Sequence, residues 1–355
     1  MLWLGTGPDS VKTAFLLAVH NEATIICHTL RNLTSGRGVI FVVADNCGDG
    51  TPSLARELGA QVYERHDRLR PGKGAALAWA VENAWEDLSR YGCVVVLDAD
   101  SRLNEAFLPA LEAAFARGAL VAQTFVCPVG ASQSPASALA AYSELLSQLI
   151  GDRIRSWLGW SVQLRGTGMA FRPDVLREVV SGLSTRVEDV ELTLRLARRG
   201  IRIHWVPEAV VYDPKPSDAG RVSRQRARWL QGQVEVWRAY WRDILALVLR
   251  GGPPAWSLLW AVLAKPKTLL FAAKALLLVL AVVLPLGGAA RVALVAVLGL
   301  GVAIDLAYYL VGLLLVEERG MYARSLLAAP LYLAVWLRSV LLGLRSKDAW
   351  LRARD

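Results

Sequence analysis

Hydrophobic residues divide the sequence into two regions with different patterns. Before residue 253, short apolar runs alternate with segments of helical spacing, and polar residues follow each apolar run. Strands are predicted at residues 14–19, 39–44, 61–64 and 94–97, and helices at residues 24–33, 51–58 and 74–88. Strands and helices that alternate through short connections indicate a mainly parallel sheet covered on both faces. The pattern therefore predicts an α/β fold, with residues 130–138 as a loop.

From residue 268 onwards, long apolar runs dominate the sequence. Residues 268–286 and 289–316 are each long enough to cross a hydrocarbon core of roughly 30 Å. Residues 326–344 contain Pro330 and Arg338, which favours an interfacial or re-entrant helix over a third span, with Trp336 and Arg338 towards the lipid headgroups. Residues 254–264 are short for a span and are predicted to be interfacial.

These patterns predict four successive regions. An α/β domain occupies residues 1–235, interfacial amphipathic helices 236–267, a membrane region 268–344 and a basic tail 345–355. Residues 1–9 lack the basic flank, apolar core and cleavage site of a signal peptide. The α/β domain is therefore expected in the cytoplasm, held to the inner membrane by a multi-pass anchor.

Charge and cysteine usage narrow the class of protein. The net charge of +9 fits either a nucleic-acid binder or a face that lies on anionic lipid and handles a diphosphate. The basic residues are scattered among acidic ones, which favours the second interpretation and predicts no nucleic-acid partner. The cysteines Cys27, Cys47, Cys93 and Cys127 lack metal-ligand spacing, so we predict that they are reduced and buried.

Asp98-Ala99-Asp100 follows a buried strand and is the first candidate for chemistry. Two carboxylates one residue apart can share Mg²⁺ or Mn²⁺ with a diphosphate, since hard oxygen ligands suit these ions. The same residues would also serve as a simple cap for a helix that begins near Asn104. The sequence alone leaves both interpretations open.

Other polar segments follow the ends of the predicted strands. His20-Asn21-Glu22 follows the first strand, and Asp45 opens a polar, glycine-rich turn through Thr51. Lys73 lies before a helix N-terminus, where its ammonium and nearby amides would meet phosphate. Ordinary turns with capped helices explain the same segments equally well.

Two further segments combine charge with helical spacing. Residues 187–191 open a helix with acidic residues, which the helix dipole favours, but which also offer a general base. In Gln225-Arg226-Ala227-Arg228-Trp229, Arg228 can neutralise a diphosphate and Trp229 offers an apolar face for a sugar ring. A basic amphipathic helix on the membrane is the alternative for this second segment.

Taken together, these motifs resemble the family 2 glycosyltransferases, in the branch containing cellulose, chitin and hyaluronan synthases and ceramide glucosyltransferase. The resemblance covers roughly residues 12–229. The matching residues, in order, are Asp45, Asp98 with Asp100, Glu188 with Asp189, and Gln225, Arg228 and Trp229. Residues 165–171 also resemble the segment that lines the donor-sugar and acceptor pocket.

The resemblance implies a GT-A fold and a role for each matching residue. Donor-binding residues would be His20, Asn21, Glu22, Asp45, Lys73, Asp98, Gln225 and Arg228. The catalytic residues would be Asp189 as base, Glu188 and Arg228. The acceptor would contact Trp229, Gly166, Thr167 and Gly168. Asp100 and Asp98 would hold Mg²⁺ or Mn²⁺. Val187 stands where the family often has threonine, so a role for that hydroxyl is absent.

The predicted reaction is a single displacement that inverts the anomeric carbon of a UDP-sugar. The favoured acceptor is a lipid or lipid-linked glycan, because two spanning helices cannot enclose a polymer channel unless subunits assemble. A processive polysaccharide synthase, working as a homo-oligomer or with a separate exporter, is the alternative. An inactive nucleotide-sugar sensor or membrane scaffold is a third hypothesis, and a nucleic-acid enzyme is the weakest.

Overall fold

The computed structural model describes residues 11–34, 38–215, 219–264, 267–284 and 287–345. The strands found there are β1 (Thr13–Val19), β2 (Val39–Asp45), β3 (Gln61–Arg65), β4 (Cys93–Leu97), β5 (Arg102–Leu103), β6 (Val121–Val129), β7 (Met169–Phe171) and β8 (Ile203–Pro214). The helices up to the last strand are α1 (Ile26–Thr34), α2 (Thr51–Glu57), α3 (Lys73–Asn83), α4 (Trp85–Leu88), α5 (Phe107–Ala116), α6 (Pro135–Leu146), α7 (Arg153–Trp157), α8 (Pro173–Val180) and α9 (Glu188–Arg198). The remaining helices are α10 (Ala219–Arg250), α11 (Gly252–Leu263), α12 (Lys267–Val283), α13 (Gly288–Leu315), α14 (Arg319–Leu327) and α15 (Ala329–Arg345).

One sheet joins the eight strands in the order β3-β2-β1-β4-β7-β6-β8-β5. β3, β2, β1 and β4 run parallel, and Leu16 of β1 pairs with Phe41 of β2 on one side and Val96 of β4 on the other. These strands are nearly continuous apolar runs, as expected where helices cover both faces of a parallel sheet. The predicted α/β fold is confirmed.

The other half of the sheet is not parallel. β7 is antiparallel to both β4 and β6, and β5 is antiparallel to β8. The sheet is therefore mixed rather than mainly parallel. β5 has two residues and β7 has three, too few for a hydrophobic period to reveal a strand.

Two hydrophobic cores lie on opposite faces of this sheet. Because side chains alternate along a strand, Phe15 and Leu17 of β1 join the core under α1 and α5, whereas Leu16 joins the core under α3, α8 and α9. Both cores are closely packed around side chains that are almost fully buried. The edge of the sheet, where the strands end, is left for polar residues.

Three predicted elements differ from the structure. Residues 130–138 are not a loop, because a 3₁₀ turn at Ala131–Gln133 leads into α6, whose N-cap Ser134 accepts a hydrogen bond from the Ser137 amide at 3.1 Å. Serine followed by Pro135 is a helix-start signal that the pattern analysis missed. The helix predicted at residues 74–88 is interrupted at Ala84, and the apolar run at 326–344 is interrupted at Ala328.

The chain forms two compact units that do not follow one another in sequence. The first comprises Met1–Cys127, Arg155–Pro214 and Gly232–Leu258, and the second comprises Pro128–Ile154, Lys215–Gln231 and Leu259–Asp355. α10 belongs partly to each unit and continues without interruption through residue 235, where the sequence analysis set a domain boundary.

Helices of the second unit are joined by aromatic and ionic contacts. Tyr142 of α6 stacks on Tyr322 of α14 with ring centroids 5.1 Å apart, and its hydroxyl donates to the Tyr309 carbonyl of α13. Lys274 of α12 forms an ion pair with Asp305 of α13. An ion pair between two apolar helices satisfies charges that would be costly next to lipid.

Among the described residues, α13 is the one helix that is long and apolar enough to cross a membrane by itself. Two pairs of shorter helices, α11 with α12 and α14 with α15, would each reach the required length only as one bent span, so the number of candidate spans is one to three. α12, the counterpart of the predicted span at residues 268–286, has 17 residues. Of the tail predicted at residues 345–355, all but residue 345 lies outside the described residues.

Trp336 does not face lipid headgroups as predicted. It is 5% exposed, and its ring lies 4.2 Å from the guanidinium carbon of Arg226 on α10, whereas Arg338 is exposed. Tyr332, Trp336 and Ser339 recur every three or four residues, which makes them one buried face of α15. Lipid was predicted to cover this face, whereas α10 of the same chain contacts it.

Gly168 permits close contact between β7 and its neighbours, and this can be tested. Its φ is +65°, and an added Cβ would lie 2.0 Å from Thr124 Oγ1 and 2.9 Å from Val211 Cγ2. We expect Gly168→Ala to lower the free energy of unfolding by about 1–3 kcal/mol for overpacking, in addition to a backbone cost of about 1–2 kcal/mol. Thermal unfolding of the purified protein measures the difference.

Gly200→Ala is the matched control for this prediction. Its φ is +67° and an added Cβ would meet no heavy atom within 4 Å, so it carries the backbone cost without the collision. Equal losses in the two variants would mean that the space around Gly168 is not limiting.

Candidate active site

Polar residues meet at the carboxyl edge of the parallel half of the sheet. His20 follows β1, Asp45 ends β2, Arg65 ends β3 and Asp98 follows β4. Parallel strands that end at one edge bring their following residues together, and open α/β sheets bind ligands there. The sequence predicts this grouping for His20, Asp45 and Asp98 but not for Arg65.

Hydrogen bonds fix the two loops that follow β1 and β2 against each other. His20 Nδ1 lies 2.7 Å from the Asp45 carbonyl oxygen, and the Gly48 amide donates to Asn21 Oδ1 at 2.8 Å. The Glu22 amide donates to Thr51 Oγ1 at 2.8 Å. These contacts make one rigid rim from two predicted donor-binding segments.

Both loops contain an asparagine in the left-handed backbone region. Asn21 has a φ of 54° and Asn46 a φ of 53°. Asparagine tolerates this region better than most residues, and such backbone strain is concentrated at functional sites. The strain is maintained by contacts such as that of Asn46 Nδ2 with Asp45 Oδ1 at 2.9 Å.

Asp45 is a buried carboxylate with both oxygens occupied. Arg65 Nη1 donates to Oδ1 at 2.6 Å, and the Gly72 amide donates to Oδ2 at 3.2 Å. Arg65 is the register partner of Asp45 in the β2–β3 pair and also binds Asp67 at 2.8 Å. Asp45 therefore organises the loop between β3 and α3, and its contact with the nucleotide stays a prediction. The position of Arg65 at a strand end was the signal that could have identified it.

Lys73 is the cation of the site. Its Nζ lies 2.5 Å from Asp98 Oδ1, 2.7 Å from the Gly166 carbonyl oxygen and 3.6 Å from Glu188 Oε1. Burial by itself lowers the pKa of the Lys73 ammonium, but the carboxylates of Asp98, Glu188 and Asp189 outweigh burial and raise that pKa above its ordinary value. Lys73 therefore stays charged, and it brings together residues that are far apart in sequence.

Glu188 and Asp189 begin α9 beside this ammonium. Burial raises the pKa of the Glu188 carboxyl above its ordinary value; Lys73 lowers it, and the neighbouring charges of Asp189 and Asp98 raise it further. Two adjacent carboxyls beside one ammonium offer two candidates for proton transfer.

Asp98 and Asp100 do not cap the next helix. α5 begins at Phe107, and its N-cap Ala106 makes no side-chain cap, so the capping alternative is wrong. The Asp98 side chain is 42% exposed, which leaves it open to a ligand while Lys73 contacts one oxygen.

The donor set of Asp98 and Asp100 fits a divalent ion of the Mg²⁺ or Mn²⁺ type. The described residues contain no group of three or more histidine, cysteine, aspartate or glutamate side chains that would form a complete protein site. An ion here would take its remaining oxygen ligands from phosphate and water, as is usual for Mg²⁺ in nucleotide enzymes.

Gly166, Thr167 and Gly168 support the Asp98 loop from the sheet side. Thr167 Oγ1 accepts from the Asp98 amide at 3.2 Å and lies 2.8 Å from Ser101 Oγ. The buried Gln123 amide, which the sequence analysis missed, donates to the Thr167 carbonyl at 3.0 Å. A contact of these residues with the acceptor stays a prediction.

The loop before α9 is attached to the part of α10 that lies in the same unit. The Arg186 amide donates to Glu235 Oε2 at 2.9 Å, and an added Cβ at Gly232 would be 2.6 Å from Val187 Cγ1. Val187 is buried in this contact, which explains in physical terms why an apolar residue fits where the resembling family often has threonine.

Glu191 completes this attachment as a fully buried carboxylate. It accepts from the Tyr240 hydroxyl at 2.5 Å, from the Thr185 amide at 2.9 Å and from Arg195 at 2.7 Å. Burial raises the pKa of Glu191, but these hydrogen bonds outweigh burial, so the pKa is lowered and the group remains charged. The acidic start of a helix is the one sign of this role in the sequence.

Gln225, Arg228 and Trp229 lie on α10 in the second unit. The Trp229 side chain is 39% exposed, whereas Arg226 and Ala227 between them are buried. The predicted motif residues therefore share one side of the helix, and the intervening residues contact protein.

Comparison with known proteins gives relatives of two kinds. The chain is 24% identical over 258 residues to a beta-monoglucosyldiacylglycerol synthase of Trichormus variabilis, covering 69% of this chain and 54% of that protein. It is 26% identical over 234 residues to a poly-beta-1,6-N-acetyl-D-glucosamine synthase of Staphylococcus aureus, covering 62% and 54%. The chain thus spans about half the length of these curated relatives.

A solved structure shows what fold the chain is similar to, and a family model shows the family. The fold is similar to that of the mannosyltransferase PcManGT of Pyrobaculum calidifontis, solved with GDP-Man and Mn²⁺, with a TM-score of 0.57 at 19% identity, covering 95% of this chain and 88% of that one. This similarity confirms the predicted GT-A fold. The model described as glycosyl transferase family group 2 matches residues 93–337, which include β4, the Asp98 loop, α9 and α10. This chain therefore belongs to glycosyl transferase family group 2.

Proposed function

We propose that this chain is an inverting glycosyltransferase that moves a sugar from a UDP-sugar to a lipid or lipid-linked acceptor at the cytoplasmic membrane face. The observation that carries the proposal is the cluster in which Lys73 binds Asp98 and approaches Glu188 at the carboxyl edge of the sheet. The relatives named as monoglucosyldiacylglycerol synthases support a lipid acceptor.

The donor site is proposed to form around the rim at the sheet edge. His20, Asn21, Glu22 and Asp45 would surround the nucleoside, and Lys73 would contact the diphosphate. Asp98 and Asp100 would hold Mg²⁺ or Mn²⁺, which when bound offsets the negative charge that develops on the departing diphosphate. Gln225 and Arg228 would bind the diphosphate, with a planar guanidinium suited to phosphate oxygens.

Asp189 is the proposed general base. It would take the proton from the acceptor hydroxyl while that oxygen attacks the anomeric carbon. Glu188 is the weaker candidate, because its carboxyl lies 3.6 Å from the Lys73 ammonium and is engaged by that charge. No covalent intermediate is required, so an α-linked donor yields a β-linked product.

Trp229 is proposed to carry the acceptor. Its exposed indole offers an apolar face, and the apolar helices α12 and α13 would keep the enzyme next to lipid. A lipid acceptor does not leave the bilayer, so an enzyme that uses it needs to be attached to the membrane.

Polysaccharide synthesis is the second candidate function. The poly-beta-1,6-N-acetyl-D-glucosamine synthase relative favours it. The described residues offer one to three candidate spans, so export of a polymer would need a homo-oligomer or a separate exporter. An inactive sensor is disfavoured because Asp100, Asp189 and Arg228 are all present.

The first test measures transfer and its need for metal. Purified protein is incubated with UDP-sugars, GDP-sugars as comparison, and vesicles of phosphatidylglycerol with diacylglycerol in Mn²⁺ or Mg²⁺. We expect a β-linked glycolipid from a UDP-sugar, detected by mass spectrometry and NMR, and loss of product in excess EDTA. Asp100→Asn should abolish transfer because it removes a metal ligand.

Asp174→Asn is the control for Asp100→Asn, because Asp174 is an exposed carboxylate paired with Arg172. Full activity in EDTA would contradict the metal requirement. Transfer only to a growing glycan would favour the polysaccharide alternative.

The second test assigns the base. Asp189→Asn should lower kcat by about 10²-fold or more, the usual effect of losing a general base, with little change in UDP affinity. Glu188→Gln preserves size and should cost less. A larger loss in Glu188→Gln than in Asp189→Asn would make Glu188 the base.

The third test separates donor from acceptor on α10. Trp229→Ala should raise the acceptor KM, whereas Arg228→Met should lower kcat, because it removes a charge that acts on the leaving group. Kinetics with varied diacylglycerol and varied donor measure both. If both variants changed the acceptor KM alone, this division of roles would be wrong.

A further inference from the structure

The buried side of α10 near the Gln225–Trp229 motif contacts α15. With about 100° of rotation per residue, Ser223, Ala227 and Gln231 lie on one side of the helix and Gln225 and Arg228 on the other. Gln231 Nε2 donates to the Gly343 carbonyl at 3.0 Å, and Ser223 Oγ donates to the Val335 carbonyl at 3.5 Å. α15 therefore runs along the back of the motif.

Arg226 lies between α15 and Trp229. Its guanidinium carbon is 4.2 Å from the centroid of Trp336, 4.9 Å from that of Tyr332 and 6.0 Å from that of Trp229. It also donates to the Tyr332 hydroxyl. One guanidinium thus lies close to two aromatic rings of the last described helix and, at the outer limit of cation–π range, to the aromatic residue assigned to the acceptor.

The environment of Arg226 is unusual for a charged residue. It is 7% exposed, and within the part of the chain that the structure describes it has no ion pair with a carboxylate and its Nε has no hydrogen-bond partner. Burial lowers the pKa of its guanidinium, which Tyr332 and Glu144 partly oppose. The aromatic faces and the Tyr332 hydroxyl accompany this charge, so loss of the rings or of the cation should disturb the same contact.

We propose that Arg226 is a positioning residue that holds the Trp229 ring by clamping it to Tyr332 and Trp336 of α15. The proposal rests on the proposed function, because it takes Trp229 as the acceptor platform. It makes α15 a support of the acceptor site in addition to any contact it has with lipid. A methionine at 226 would fill the space without the charge, and a lysine would retain the charge without the planar fork.

Kinetics test the clamp. With phosphatidylglycerol–diacylglycerol vesicles, Arg226→Met should raise the half-saturating diacylglycerol fraction about fivefold or more and leave the donor KM within about twofold. Arg226→Lys should recover part of this loss. Arg338→Met, which replaces an exposed arginine of α15, should behave as wild type. The half-saturating diacylglycerol fraction of the double variant Arg226→Met, Trp336→Leu should not exceed that of the more impaired single variant, because both substitutions remove the same contact.

Three results would overturn the clamp: wild-type acceptor dependence in Arg226→Met, additive losses in the double variant, or a higher donor KM, which would mean direct contact with the donor.

A second measurement of the clamp, by cross-linking, needs no substrate. Ser223→Cys with Val335→Cys, after replacement of the native cysteines, should cross-link when Arg226 is present and much less with Arg226→Met. Equal cross-linking would also overturn the clamp. Absence of transfer by the wild type would defeat the proposed function, and the cross-linking result would still decide the clamp.

Discussion

The ammonium of Lys73 is the interaction on which the site depends. Its contacts with Asp98 and the Gly166 carbonyl join β4, α3 and the segment before β7, and it approaches Glu188 at the start of α9. Three carboxylates act on this one cation. Such an excess of negative charge in a partly buried site favours further cations and suits a site where an ion and a diphosphate enter together.

A second constraint is that the start of α9 must stay fixed while substrates enter. Glu191 achieves this as a buried acceptor of several hydrogen bonds, including that from Tyr240 of α10. A buried carboxylate with a full set of donors is rigid because each lost partner would leave an uncompensated charge. Asp189 therefore stands on a helix whose first turn is held from inside the protein.

The sequence predicted the parallel half of the fold well and the rest less well. β1, β2 and β4 are long apolar runs, and their period and polar ends indicated both the sheet and the positions of Asp45 and Asp98. β5 and β7 are too short to leave such a pattern. Gln123 acts through neighbours that are distant in sequence, so only the folded chain reveals it, whereas the place of Arg65 at the end of a strand was a signal that the sequence offered. The predicted position of Trp336 at the lipid headgroups was wrong, because the sequence of an amphipathic helix does not indicate whether lipid or protein covers its apolar face.

Gly232 has a consequence for how this sequence can change over time. A glycine inside a long helix costs about 1 kcal/mol relative to alanine, so its presence in α10 reflects the space that Val187 occupies. The two positions share one volume. A larger side chain at position 232 would require a smaller one at position 187. A larger residue at either position alone would shift the loop before α9, and with it the acidic first turn of that helix. Positions 187 and 232 should therefore drift as a pair among descendants of this sequence, although 45 residues separate them in the chain.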